Sequence, residues 1–236
     1  MWAVSVLLTA GLAIRFLQLR LAQHYRWMLI YLLASALRQL ALLPFPTTSA
    51  QYMYGWLTTE VILTALRMLV AAECFRLMTS LFPRIGSFGI RSFYVIGAVA
   101  VAITLAVSLR EGSAVGWEQQ VFRCVLLTRQ VLLILASVFL FAAIVTSRFL
   151  HAPVAPNIRI HLNLSLAYFV SLALMQMLRY PLNQSFVVPM SVGQVTIPAA
   201  LFAWWMLALR ANGQTVKEPV PNSEQVFSRY RGLRRA

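Results

Sequence analysis

Glu60, Thr64 and Arg67 stand four and then three residues apart. At 3.6 residues per turn this spacing puts all three on one face of a helix. The stripe continues to Ala71 and Cys74, small residues suited to close helix contact. The stretch that carries them, about Met53–Met78, is otherwise mostly apolar. An ionisable group in hydrocarbon costs at least about 2.5–3.5 kcal/mol on insertion scales, so Glu60 and Arg67 are expected to face other helices and find partners there. Arg129 lies at a similar depth, about 16 Å from the outer end of its own apolar stretch at 1.5 Å per residue. Arg38, Arg123 and Arg179 fall in the outer portions of apolar stretches, and Gln176 and Gln194 at comparable heights.

If these side chains converge, the outer half of the molecule holds an arginine-rich cavity with Glu60 as its main counter-ion. A surplus of guanidinium there favours an anion: a carboxylate, a phosphate or a lipid headgroup. The expected ligand-binding set is Glu60, Arg67, Arg129, Arg38, Arg123 and Arg179. In the plainer alternative, Arg38, Arg123 and Arg179 snorkel to headgroups and Glu60 neutralises one arginine. Arg67 and Arg129 weigh most between the two, because snorkelling from mid-membrane is hardest.

Other residue types exclude chemistry. The lone lysine, Lys217, lies in the C-terminal tail, so no helix offers a Schiff-base lysine for retinal. His24, His151 and His161 are expected at the cytoplasmic ends of helices, without metal-ligand spacing, and no metal or cofactor is expected. A Walker loop, a nucleophile elbow, an HExxH motif and a pair of aspartates are all missing, which argues against an enzyme. Glu73 and Arg76, three residues apart, are expected to pair locally. Cys74 and Cys124 fall near opposite membrane faces and are not expected to bridge. Pro198 is expected to kink the last helix. Asn183-Gln184-Ser185 fits a glycosylation sequon.

These groups need a scaffold, and composition says which. Of 236 residues 60% are apolar and only 11% charged, with a mean hydropathy of +0.74. Soluble domains are about 45–50% apolar and about 25% charged, so lipid must cover part of this surface. The formal charge of +14 does not mark a nucleic-acid binder, because the arginines sit at the ends of apolar runs instead of in one domain.

Seven apolar runs follow one another: Trp2–Leu19, Trp27–Leu43, about Met53–Met78, Phe93–Leu109, about Glu118–Val145, Ile160–Leu178 and about Ser191–Leu209. Breaks such as Pro44-Phe45-Pro46, Phe82-Pro83-Arg84-Ile85-Gly86 and the segment around Pro153 and Pro156 divide them. Arg20, Arg26, Arg84, Arg91, Arg148 and Arg159 lie on one side with the basic tail, and little beyond Arg110 and Arg179 lies on the other. The positive-inside rule then puts the N-terminus outside and the C-terminus in the cytoplasm, which needs an odd number of spans. Tyr25, Trp27, Tyr94, Trp204 and Trp205 are expected at the inner interface, and Trp2, Tyr52, Tyr54, Trp56, Trp117 and Tyr180 at the outer one.

The expectation is therefore an all-α, polytopic bundle of seven transmembrane helices over residues 1–210, in the cell membrane, with a basic tail over 211–236 that is disordered or rests on anionic lipid headgroups. Arg15-Phe16-Leu17 recurs as Arg148-Phe149-Leu150, with Arg26 and Arg159 following at the same distance, which would suit a duplicated three-helix unit joined by the fourth helix. Two functions fit: a small transporter or channel-like protein for an anionic solute, or a membrane sensor or accessory subunit acting through a protein partner or as a homo-oligomer.

Overall fold

In the computed structural model the described residues are 2–80, 83–111, 116–149, 154–179, 187–210 and 213. They form seven α-helices: α1 Trp2–Gln18, α2 Arg26–Leu42, α3 Ala50–Met78, α4 Pro83–Glu111, α5 Trp117–Phe149, α6 Pro156–Arg179 and α7 Val187–Ala208. A short 3-10 turn, Leu21–Gln23, joins α1 to α2. There is no strand among the described residues. Three helical stretches, Gly86–Arg110, Trp117–Phe149 and Pro156–Leu178, are long and apolar enough to cross a membrane. That is the character of a membrane protein. The Arg179 and Gln194 side chains, Tyr180, the 183–185 sequon, His151, Lys217 and the basic tail beyond Gly213 lie outside the described residues.

Local chemistry explains several helix starts. After the Pro44–Pro46 break, Ser49 caps α3, its hydroxyl oxygen accepting the Tyr52 N–H at 3.1 Å. The helices α4 and α6 both open on a proline, Pro83 and Pro156. Proline suits the first helical position, where its missing N–H would have had no partner. For this reason α4 begins about a turn after α3 ends, ten residues earlier than its apolar run at Phe93 suggests.

Six helices close a ring in the order α1, α2, α3, α5, α6, α7, and α7 returns to α1. The remaining helix, α4, packs on the outside against α5 and, less, α3. Only 17% of its apolar window is buried within the protein. The ring does not single out a duplicated unit: any closed ring of six pairs α1-α2-α3 with α5-α6-α7, and the contact between α3 and α6 has no counterpart of like extent between α7 and α2. The matching tripeptides do not support one either, since Phe16 is fully buried whereas Phe149 is 80% exposed.

The core runs through the ring. Phe16, Leu32, Leu133, Leu140, Leu162 and Trp205 are completely or almost completely buried and come from five different helices. On α3 the small residues Ala71 and Cys74 are buried, and the Cys74 sulfur lies 3.6 Å from Ser165 Oγ of α6. Both cysteines are free thiols. Outside the ring, Phe139 of α5 stacks between Phe75 of α3 and Phe93 of α4, at ring distances of 4.2 and 4.4 Å. Gly89 makes room for this stack, because a Cβ there would fall within 3 Å of the Phe75 ring.

Two inner-belt expectations are corrected by this packing. Trp204 faces outward, but Trp205 and Tyr25 are core residues with exposures of 1% and 0%. His161, expected at the cytoplasmic end of its helix, lies near that end but is buried, between Phe16, Tyr25 and Trp205. It lies only five residues into α6, but the ends of α1, α2 and α7 cover it.

Candidate functional site: a carboxylate ringed by arginines

The stripe on α3 turns inward, so Glu60, Thr64 and Arg67 are buried, with Glu60 at 1% exposure. Three helices bring guanidinium groups to that one carboxylate. Arg38 of α2 donates through Nη1 to Glu60 Oε2 at 2.5 Å. Arg67, two turns along α3, donates through Nη1 to Oε1 at 2.6 Å and lies 3.4 Å from the Thr64 hydroxyl. Arg129 of α5 brings Nε to 3.3 Å from Oε1. The arginine side chains are 15%, 7% and 13% exposed.

The balance of charge is the central feature. Three guanidiniums meet one carboxylate, which leaves two positive charges in a nearly closed, low-dielectric setting. The buried Arg67 Nε has no hydrogen-bond acceptor, and the Arg129 Nε meets Glu60 as an ion pair without a well-aligned hydrogen bond. Part of the excess is spread over aromatic faces: Arg38 lies over Trp56 at 5.4 Å and Arg67 over Tyr31 at 5.6 Å. Such contacts are worth about 0.5–2 kcal/mol each, less than burial of an uncompensated charge costs. The arrangement is therefore short of negative charge.

Below Arg67 the ring is closed. The Tyr31 and Tyr168 hydroxyls hydrogen-bond across from α2 to α6. A crevice lined by Tyr31, Arg67, Ser165, Tyr168 and Trp205, among others, is too narrow for a water molecule. Nearby on α6, Gln176 donates to the Leu126 carbonyl at 2.6 Å, and its own buried carbonyl oxygen has no partner.

The structure thus brings together four of the six residues expected in the site: Glu60, Arg38, Arg67 and Arg129. Arg123 stands exposed on α5. It is six residues before Arg129, about 240° around the helix, and so points elsewhere. The Arg179 side chain is outside the described residues. The Glu60 carboxylate sits among the guanidiniums of Arg38, Arg67 and Arg129.

Elsewhere, Glu73 does not pair with Arg76. Its carboxylate accepts the backbone N–H groups of Trp27 and Met28, at 3.2 and 3.3 Å. It thereby caps the first turn of α2 from a neighbouring helix, where free N–H groups and the helix dipole favour an anion. A local i, i+3 pair has to compete with these charge-assisted bonds and loses here. A second long-range clamp was not legible in the sequence. Asn157, fully buried at the start of α6, donates to the Arg210 carbonyl at 2.8 Å and accepts the Arg210 N–H at 3.2 Å. Its own N–H donates to the Gly213 carbonyl at 3.0 Å. A Cβ on Gly213 would collide with the Asn157 carboxamide, so the close approach requires glycine.

No group of three or more metal-ligating side chains occurs among the described residues. Comparison of the chain with known protein families, characterised proteins and solved structures finds no match.

Proposed function

We propose that this protein binds a small anion at the Arg38–Arg67–Arg129 cluster and acts as a small transporter or channel-like protein for it. One observation carries the reading: three guanidiniums from three helices, each at most 15% exposed, share a single carboxylate. Glu60 then serves as a resident anion that holds the site together when it is empty. An incoming carboxylate or phosphate competes for the same donors, and its charge offsets the remaining two positives. The reading includes seven membrane spans with the N-terminus outside, supported by the seven helices and the one-sided arginines. Cysteine-specific labelling from outside intact cells is expected to reach a tag at residue 1 and not one at residue 236; the reverse pattern would overturn the orientation.

The crevice beneath Arg67 favours a second reading, in which the anion is sensed without crossing and a partner protein relays the signal. Purified protein in liposomes separates the two. Uptake of labelled acetate, sulfate or phosphate that is lost in Arg67→Met and Arg129→Met supports transport. Saturable binding of the same anions without uptake supports sensing.

A further inference from the structure

At the end of the molecule opposite the Glu60 cluster, the C-terminal turns of α3 and the first three turns of α4 diverge. They leave a groove of about 680 Å3. Arg76 of α3 and Arg91 of α4 line it from its two sides, and no carboxylate does. Both arginines are exposed, and neither makes an ion pair among the described residues. The groove is therefore doubly positive and uncompensated.

Its hydroxyls are already committed as donors. Thr79 donates to the Phe75 carbonyl, Ser80 to Leu77 and Ser87 to Arg84. The donors left for a guest are the two guanidiniums and the Tyr94 hydroxyl, which is a set suited to a phosphate. Gly86, in the first turn of α4 behind Pro83, lines the same groove. Gly86 lets this turn press close on Thr79, where a Cβ would not fit.

Depth identifies the guest further. Arg91 lies about 12 Å along α4 from Pro83 at 1.5 Å per residue. The same helix continues as a stretch apolar enough to cross a membrane, Gly86–Arg110. Ile90 and Val95 line the groove with Tyr94 on this membrane-facing stretch. A guest with an anionic phosphate at one end and hydrocarbon at the other matches both parts. We infer that the groove between α3 and α4 is a binding site for the phosphodiester headgroup of an anionic phospholipid, held by Arg76 and Arg91 with its acyl chain against Ile90 and Val95. This site is separate from the Glu60 cluster.

The test uses the full chain, delipidated in detergent and titrated with phosphatidylglycerol or phosphatidylcholine while native mass spectrometry counts bound lipids. Wild type is expected to prefer phosphatidylglycerol. Arg76→Gln/Arg91→Gln is expected to bind it about thirtyfold more weakly, from the loss of two interfacial arginines. Arg76→Lys/Arg91→Lys is expected to keep most of the preference. Arg148→Gln/Arg159→Gln, which removes two exposed arginines elsewhere at the same end of the bundle, is expected to keep it all. All variants are checked for retained helicity, and the single substitutions stand in if the Gln pair fails to fold. Equal lipid preference in the Arg76/Arg91 variants and wild type would overturn the site. Inorganic phosphate that competes as well as the lipid would show a site for a soluble phosphate and overturn the lipid assignment.

Discussion

Glu60→Gln is expected to lower the unfolding free energy by about 3–5 kcal/mol, the cost of leaving buried charge without its partner. The side chain keeps its size and can still accept hydrogen bonds, so the loss reports charge and not volume. Three guanidiniums then face each other with no carboxylate between them. Reversible unfolding in mixed micelles measures the change. The companion Glu60→Ala opens the space of the carboxylate, and formate or acetate is expected to restore part of the stability by filling it. Chloride at equal ionic strength is expected to restore less, because it cannot accept in the forked geometry of two guanidiniums. An unchanged stability for Glu60→Gln would mean that the three arginines are not held by this carboxylate.

The second large effect is expected at Asn157, which no charge argument would single out. Asn157→Leu keeps the volume but removes both carboxamide bonds to the Arg210 backbone. The expected cost is about 1–3 kcal/mol, the usual penalty for stranding polar groups beside a buried apolar side chain. The effect is local, at the junction where α7 ends. Opening of that junction is expected to become about tenfold more frequent, since 1.4 kcal/mol is a factor of ten. Trypsin cleavage after Arg210 in the folded protein reads this directly. Gly213→Ala is expected to act in the same direction, because its new methyl group meets the Asn157 carboxamide. Unchanged cleavage in both variants would show that the clamp does not secure the chain after α7.

The two sites differ in how far they could be read from sequence. The α3 stripe was legible because its signal is internal to one helix. Residues 60, 64 and 67 share a face whatever surrounds them. The aromatic faces under the guanidiniums were not read: Trp56 was expected only at the outer interface, and Tyr31 was not singled out, because both contacts run between α2 and α3. Depth also identified Arg38 and Arg129. It could not tell Arg38 from Arg123, both placed in the outer portions, because depth ignores rotation about the helix axis. Rotation is fixed by packing against α3, and six residues along α5 reverse most of the outcome.

Asn157 and Glu73 had no such internal signal. Both bind backbone atoms far along the chain, and a backbone atom has no residue identity to read. His161 and Trp205 were misplaced for a related reason. Proximity to the end of an apolar run suggests an interface, but in a ring of helices the end of one element can be covered by three others. Proline was the opposite case, a local signal given too much weight. Pro83 was read as a break, whereas at the first position of a helix it is a start. The long apolar helices α4, α5 and α6 were the plainest feature, since run length alone reports them.

The repeat illustrates the limit between these cases. A ring of six pairs its two halves whatever their origin, the α3–α6 contact lacks a counterpart between α7 and α2, and the matching tripeptides occupy unlike surroundings.

The cluster on α2, α3 and α5 is proposed to take an anion from outside the protein. Equilibrium binding of a labelled small anion, acetate or phosphate, to the purified wild-type chain tests this most directly. Saturable binding is predicted, stronger in Glu60→Ala and lost in Arg67→Met/Arg129→Met. No saturable binding in wild type or in Glu60→Ala would contradict it and leave the arginines as partners of Glu60 alone.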